Sequence, residues 1–258
     1  MLALDPGQIH LWFVFCDEIA DESLLRQYRE MLTEEERNQE QRFHFPKDRH
    51  RYLLTRALVR TTLSRYAAIA PSQWRFSADA YGKPAIINQD PLVGKISFNI
   101  SHTQGLIVLG VTCGGALGVD VENIRSRKAP IDVANRYFSP GEASDLLALP
   151  SELRHERFFQ YWTLKESYIK ARGMGLSIPL DQFGFSFTRK SGIAISIDSS
   201  LNDDPARWRF WQFRPSADYL AAICAEIASG ENQQLIMKKI VPLREEELLD
   251  CAALVEPH

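Results

Sequence analysis

Two short segments constrain this chain more than any others. Gly118-Val-Asp-Val-Glu122 reads as a strand, on which Asp120 and Glu122, two residues apart, point to the same side. Trp162-Thr-Leu-Lys-Glu-Ser-Tyr-Ile-Lys170 reads as a helix, on which Glu166 and Lys170, four apart, are neighbours. Phe158, Tyr161 and Ile169 flank that stripe and Trp162 lies on it, which argues for a partly buried face. A plain surface ion pair is the alternative, and it would be worth only tenths of a kcal/mol. A bare pair of close carboxylates repels and raises one of their pKa values, a cost that a divalent cation removes. Oxygen-only ligation favours Mg²⁺ or Mn²⁺ over zinc. An isolated Asp-x-Glu is also common on exposed strands. It is the combination of three acids with a lysine that suggests a cation held against a phosphate.

At 258 residues, 45% of them apolar, the chain is long enough to bury a substantial core as one large domain or two small ones. A net charge of −3 argues against a general nucleic-acid binder. The basic residues are uneven, however. Arg42, Lys47, Arg49, Arg51, Arg56, Arg60 and Arg65 stand against one acid, Asp48, which reads either as a solvated helix face or as a surface for an anionic ligand. The four cysteines are widely spaced with no Cys-x-x-Cys pair, so zinc is not suggested and a reduced, cytoplasmic setting is expected. No signal peptide is expected, and no apolar run approaches the roughly 18–20 residues of a membrane span.

Along the chain, His10–Phe15 reads as a buried strand and 21–40 as a charged helix, with Thr33 and Glu36 forming a capping box. Asp48 is expected to cap a long helix reaching about Ala68. A strand at Trp74–Phe76 and a Gly82-Lys83-Pro84 turn follow. Lys95–Ile100 alternates like a half-buried strand, Ser101–Gly105 turns the chain and Leu106–Val111 returns it, so His102 sits at the mouth of a hairpin. Ser139 should cap a helix over 140–149, and a long helix from Glu152 should end at Gly173. Strands are expected near 184–188, 193–197, 208–214 and 219–225, whereas the segment from Gly230 has no clear role. The order implies an α+β protein of two similar halves, 1–114 and 115–258, related by a pseudo-twofold, with the site at their seam.

Six blocks in order over residues 42–170 resemble the 4′-phosphopantetheinyl transferases, in the surfactin-type (Sfp-like) branch. They are Arg42-Phe43 with His50-Arg51, Tyr81-Gly-Lys-Pro84, Phe98-Asn-Ile-Ser-His102, Gly118–Glu122, Arg136-Tyr-Phe-Ser139 with Glu142, and Trp162–Lys170. The resemblance implies Mg²⁺-dependent transfer of phosphopantetheine from coenzyme A to a serine of an apo carrier protein, releasing adenosine 3′,5′-bisphosphate. The carriers would belong to fatty-acid, polyketide or nonribosomal-peptide synthesis, and the enzyme would be a monomer. By position, Asp120, Glu122 and Glu166 would hold the metal. Lys170 would contact the phosphates, and Arg51, Lys83, Ser101 and His102 would bind the nucleotide end. Glu166 or a water held by the metal site would take the serine proton, with Glu142 as a further candidate. The chain departs from the family at 34–41, where Glu36 and Gln39 stand in place of lysines that grip coenzyme A in some members. Two other readings of the same residues are a non-catalytic relative that only docks carriers and a metal-dependent phosphodiesterase.

Overall fold

The computed structural model describes residues 1–258 except 91–92, 189–191, 228–232, 252 and 256–258. The first half runs β1 (Gln8–Phe15), α1 (Glu22–Met31), α2 (Glu34–Arg42), α3 (Pro46–Leu63), the hairpin β2 (Phe76–Ala78) and β3 (Pro84–Ile86), then the hairpin β4 (Ile96–Thr103) and β5 (Leu106–Cys113). The second runs β6 (Leu117–Asn123), α4 (Ala134–Tyr137), α5 (Pro140–Ala148), α6 (Ser151–Arg172), the hairpin β7 (Phe183–Thr188) and β8 (Gly192–Ile197), then β9 (Trp208–Ser216) and β10 (Tyr219–Glu226). Three strands end the chain: β11 (Gln234–Val241), β12 (Glu245–Leu248) and β13 (Ala253–Val255).

The halves repeat one plan. In the first sheet β1, β5 and β4 are neighbours in that order; in the second, β6, β10 and β9 are. A capping box starts the helix that precedes the long helix in both, Thr33 with Glu36 on α2 and Ser139 with Glu142 on α5. Each box glutamate is buried and paired with a cation of the long helix: Glu36 with Arg60 at 2.8 Å, Glu142 with Lys165 at 2.8 Å. The expected α+β duplication is therefore present, in the backbone and in the ion pairs that tie its helices down.

Both faces of β1 are covered, which is why its sequence is an unbroken apolar run rather than an alternating one. Trp12 and Val14 meet α1 and α3, whereas Ile9, Leu11 and Phe13 meet the second sheet at Val119, Val121, Ala221 and Ile223. Helices α5 and α6 cover the far face of the second sheet. The layers are thus helix, sheet, sheet, helix. Among the described residues no helix is long and apolar enough to cross a membrane.

Several expectations need correction. The 21–40 helix is two helices, because Leu32 and Thr33 leave the helical conformation where the capping box begins. Phe45, not Asp48, is the N-cap of α3; Pro46 fills the first helical position and Asp48 pairs with Arg51 in the first turn. The basic run of 42–65 is not one face, since Arg60 turns fully inward to Glu36 and Arg65 lies over the Trp12 ring. Strand β4 continues through Ser101 and His102, and the turn is only Gln104-Gly105. The C-terminal segment has a clear role: β11 pairs in parallel with β1 and β12 folds back on it, while β13 pairs with β9. Residues 234–248, from the second half in sequence, therefore lie in the first half's sheet.

The site depends on how closely α6 approaches β6. A Cβ at Gly118 would overlap the Ser167 carbonyl oxygen and press on the Ala171 amide, both backbone atoms that cannot swing away. Gly118→Ala should therefore destabilise the fold by about 1–3 kcal/mol or more in urea titrations. Gly141→Ala, on α5 with open space around it, should stay within about 1 kcal/mol of the parent. Equal unfolding midpoints for the two variants would contradict the close-contact account.

Candidate active site

Four elements converge at the seam: β6 with Asp120 and Glu122, α6 with Glu166 and Lys170, β4 with Ser101 and His102, and the β2–β3 turn with Lys83. Alternation on β6 turns Leu117, Val119 and Val121 toward the first sheet and leaves Gly118, Asp120 and Glu122 toward α6. Asp120 and Glu122 are buried, so the exposed-strand alternative is excluded.

Lys170 does not pair with Glu166. Its ammonium donates to Asp120 Oδ1 at 2.7 Å, to Ser101 Oγ at 2.9 Å and to the Val119 carbonyl at 3.1 Å, which uses all three N–H groups. The Ser101 hydroxyl in turn donates to Asp120 Oδ1 at 3.1 Å and accepts from the Val121 amide at 3.4 Å. Asp120 Oδ2 is buried with no hydrogen-bond partner. One oxygen of this carboxylate is thus anchored and the other is left bare, which is unusual for a buried polar atom and suits a cation.

Glu122 receives Arg127 Nη1 on both oxygens, at 2.7 and 2.8 Å. Burial, and then the Asp120 charge, push its pKa up, with Arg127 opposing. Glu166 is pushed up to about 7, first by burial and then by Asp120, with Lys170 opposing and Glu122 adding. Mutual repulsion of this kind is what a divalent cation among the three would relieve. They do not form a ready-made cage: among the described residues no three acids, histidines or cysteines are grouped closely enough to hold an ion. Lys170 on Asp120 and Arg127 on Glu122 supply the physical reason. The donor set is all oxygen and includes one orphaned buried atom, so the residues fit a hard cation once Glu122 is released.

Lys83 reaches across the seam. Its ammonium donates to the carbonyl of Lys170 at 2.6 Å and to those of Leu117 and Ala171 at 3.3 Å, so it neutralises the C-terminal end of α6. Burial lowers its pKa. His102 follows Ser101 on β4 and is exposed at its outer edge. Partial desolvation first, then the Arg51 guanidinium, hold its pKa below the usual histidine value. Arg51 pairs with Asp48 at 2.8 Å, so Asp48, Arg51 and His102 form a rim on the first half. A cleft of about 240 Å³ opens between the β2–β3 turn, β4 and α6, lined among others by Tyr81, Lys83, Asn99, Ile100, Glu166 and Lys170; Asp120, Glu122, His102 and Arg51 are not in its lining.

Glu142 is removed as a candidate base. It is 1% exposed and its oxygens accept from the Ser139 amide at 2.8 Å, the Phe185 amide at 2.9 Å and Lys165. Lys165, inside the same Trp162–Lys170 block, is also structural, for it donates to the Leu180 and Phe183 carbonyls at 2.7 and 2.6 Å. The residue that sequence reasoning missed is Arg127. Its one signal is a basic run, Arg125 to Lys128, directly after the acidic strand.

Comparison with known proteins agrees with this geometry. Residues 116–224 match the family model of the 4′-phosphopantetheinyl transferase superfamily, and residues 20–113 match that of the 4′-phosphopantetheinyl transferase N-terminal region. The chain is 31% identical over 222 residues to the 4′-phosphopantetheinyl transferase HetI of a Nostoc species, covering 86% of this chain and 89% of that one. It is 32% identical over 215 residues to the 4′-phosphopantetheinyl transferase Sfp of Bacillus subtilis, covering 83% and 91%. The chain belongs to the 4′-phosphopantetheinyl transferase family, and it is an enzyme of the Sfp-like type.

The raised Glu166 pKa has a direct consequence for metal-free stability. Between about 4.5 and about 7 the native state keeps a proton that the unfolded chain has lost, so stability falls as pH rises through that window. Glu166→Gln removes the penalty. In EDTA it should be more stable than the parent at pH 8, by on the order of 2 kcal/mol, with the difference gone by pH 4. A gap that is the same at both pH values would show that the Glu166 carboxylate is not strained by its neighbours.

Proposed function

We propose that this enzyme transfers the 4′-phosphopantetheine of coenzyme A to a serine hydroxyl of an apo carrier protein, using Mg²⁺ held by Asp120, Glu122 and Glu166, with Mn²⁺ as the alternative ion. The observation that carries the metal assignment is the buried, unpartnered Asp120 Oδ2 beside a glutamate whose pKa is pushed up to about 7. A bond forms between the serine oxygen and the pantetheine-linked phosphorus, and the bridging bond to adenosine 3′,5′-bisphosphate breaks. Bound there, the cation would neutralise the pyrophosphate oxygens.

This chain's own residues supply the rest. Lys170 holds Asp120 Oδ1 in place and adds positive charge at the floor of the cleft. Glu166, or a water held at the metal site, would take the serine proton. Ser101 fixes Lys170 and Asp120 relative to each other. His102 and Arg51 face the nucleotide end from the rim of the first half, and Lys83 closes the opposite side. Arg42, Lys47 and Arg49 are exposed around the start of α3 and would steer an acidic carrier. Glu36 would make no phosphate contact, because its side chain is turned inward to Arg56 and Arg60. With both halves of the site in one chain, the enzyme would act as a monomer in the cytoplasm.

Intact-protein mass spectrometry of apo carrier proteins incubated with the enzyme, coenzyme A and Mg²⁺ tests the reading. One phosphopantetheine should be added, and EDTA should prevent it. Asp120→Ala should abolish the addition while leaving the circular-dichroism spectrum intact. Lys170→Ala should lower the rate by about 10²–10³. Release of pantetheine phosphate without any carrier would favour the phosphodiesterase reading, and no addition to fatty-acid, polyketide or peptide carriers would favour a docking relative.

A further inference from the structure

The two cations that neutralise the paired strand acids are held in different ways. Lys170 is fastened by three acceptors. Arg127 enters from outside: its side chain is 56% exposed, whereas that of Glu122 is 10% exposed. It comes from the loop 124–130 that leaves β6, and that loop is pinned at both ends by one residue of α6. His155 Nε2 lies 2.7 Å from the Ile124 carbonyl, and its Nδ1 accepts from the Ala129 amide at 3.4 Å. A carbonyl needs a donor and an amide needs an acceptor, so Nε2 donates and Nδ1 accepts in this pair of contacts. The Ile124 amide is also held, by the Asp218 carbonyl at 2.9 Å. With the loop ends fixed and the guanidinium largely in solvent, Arg127 can leave Glu122 by side-chain rotation alone, without unpacking any buried group.

We propose that Arg127 is an exchangeable counter-ion for Glu122, which it neutralises in the metal-free enzyme and releases when a divalent cation enters among Asp120, Glu122 and Glu166. This rests on the metal reading given above. Arg127 is then a positioning residue that competes with the metal, while Lys170 remains on Asp120 throughout. The pairing weakens the metal affinity of the free enzyme, because each ion that binds must first displace a guanidinium from both oxygens of one ligand. It also ensures that, before the ion arrives, Glu122 is not a second uncompensated carboxylate beside Glu166.

The test is Mn²⁺ binding to the full-length enzyme, followed by electron paramagnetic resonance at pH 8 without coenzyme A. Arg127→Gln should bind Mn²⁺ about tenfold more tightly than the parent at unchanged stoichiometry, the scale of one charge-assisted hydrogen-bonded contact. Arg127→Lys, which keeps the charge on a shorter and more strongly hydrated ammonium, should fall between the two. In a Glu122→Gln background, Arg127→Gln should have no further effect. A Mn²⁺ site that Asp120→Ala removes but that Arg127→Gln leaves unchanged or weakens overturns the exchange. An effect of Arg127→Gln that persists without Glu122 overturns it as well. If Asp120→Ala leaves Mn²⁺ binding as it was, or the parent binds none, the metal reading itself fails and the exchange with it.

Discussion

The structure turns on the way one strand edge is stitched to another without a β-ladder. Strands β4 and β6 are each the last strand of a sheet, and they meet at the seam. Every second side chain of β4 takes a backbone amide of β6: Asn99 Oδ1 accepts from Val119 at 2.8 Å, Ser101 Oγ from Val121 at 3.4 Å, and Thr103 Oγ1 from Asn123 at 3.1 Å. The two periods of two are in step, so three otherwise unpaired amides of a buried edge are satisfied at once. Each would cost about 1–3 kcal/mol if left bare. The middle member is Ser101, whose hydroxyl also meets Lys170 and Asp120. The join between the halves and the anchoring of the site's central carboxylate are therefore a single network.

The duplication shows that the two halves differ at the site in their acids and not in their cation. At the β4–β5 and β9–β10 turns Leu106 corresponds to Tyr219, which sets Leu109 against Ala222 and their partners Trp12 against Asp120. Val14 then stands where Glu122 does. The cations of the long helices that pair with the capping-box glutamates, Arg60 and Lys165, set Arg65, in the turn after α3, against Lys170 on α6. Arg65 lies 4.6 Å from the Trp12 ring centre, the counterpart of the Lys170–Asp120 contact with an indole in place of the carboxylate. In the first half this position also carries Glu246, from the returning strand β12, paired with Arg65. One scaffold thus holds an apolar, covered copy and an acidic, open one.

Much of this was legible in the residues, for identifiable reasons. Alternation on 117–122 and the four-residue spacing of Glu166 and Lys170 report local geometry, and both place their side chains on the faces that meet. Capping boxes at Thr33 and Ser139 are equally local. Contacts across the seam were not legible. Nothing near Lys170 in sequence shows that it prefers Asp120, some 50 residues away, to Glu166. Nothing near Glu142 shows that Lys165 and the Phe185 amide saturate it, and nothing in 42–65 separates Arg60, which is buried, from Arg49, which is exposed. The C-terminal strands escaped for a related reason. Strand β11 is only half-buried against β1, and β12 is an exposed edge of three glutamates, so neither carries the apolar alternation that marks a strand.

The central proposal is that one divalent cation takes the bare Asp120 oxygen and both glutamates once Arg127 has left Glu122. Anomalous diffraction at the manganese edge, from crystals of the enzyme grown with Mn²⁺ and coenzyme A, tests it most directly. The account predicts one strong peak in contact with Asp120 Oδ2 and both glutamates, next to the coenzyme A pyrophosphate, with Lys170 still on Asp120 Oδ1. A peak bound elsewhere, or coenzyme A seated in the cleft with no metal among these three acids, would contradict it.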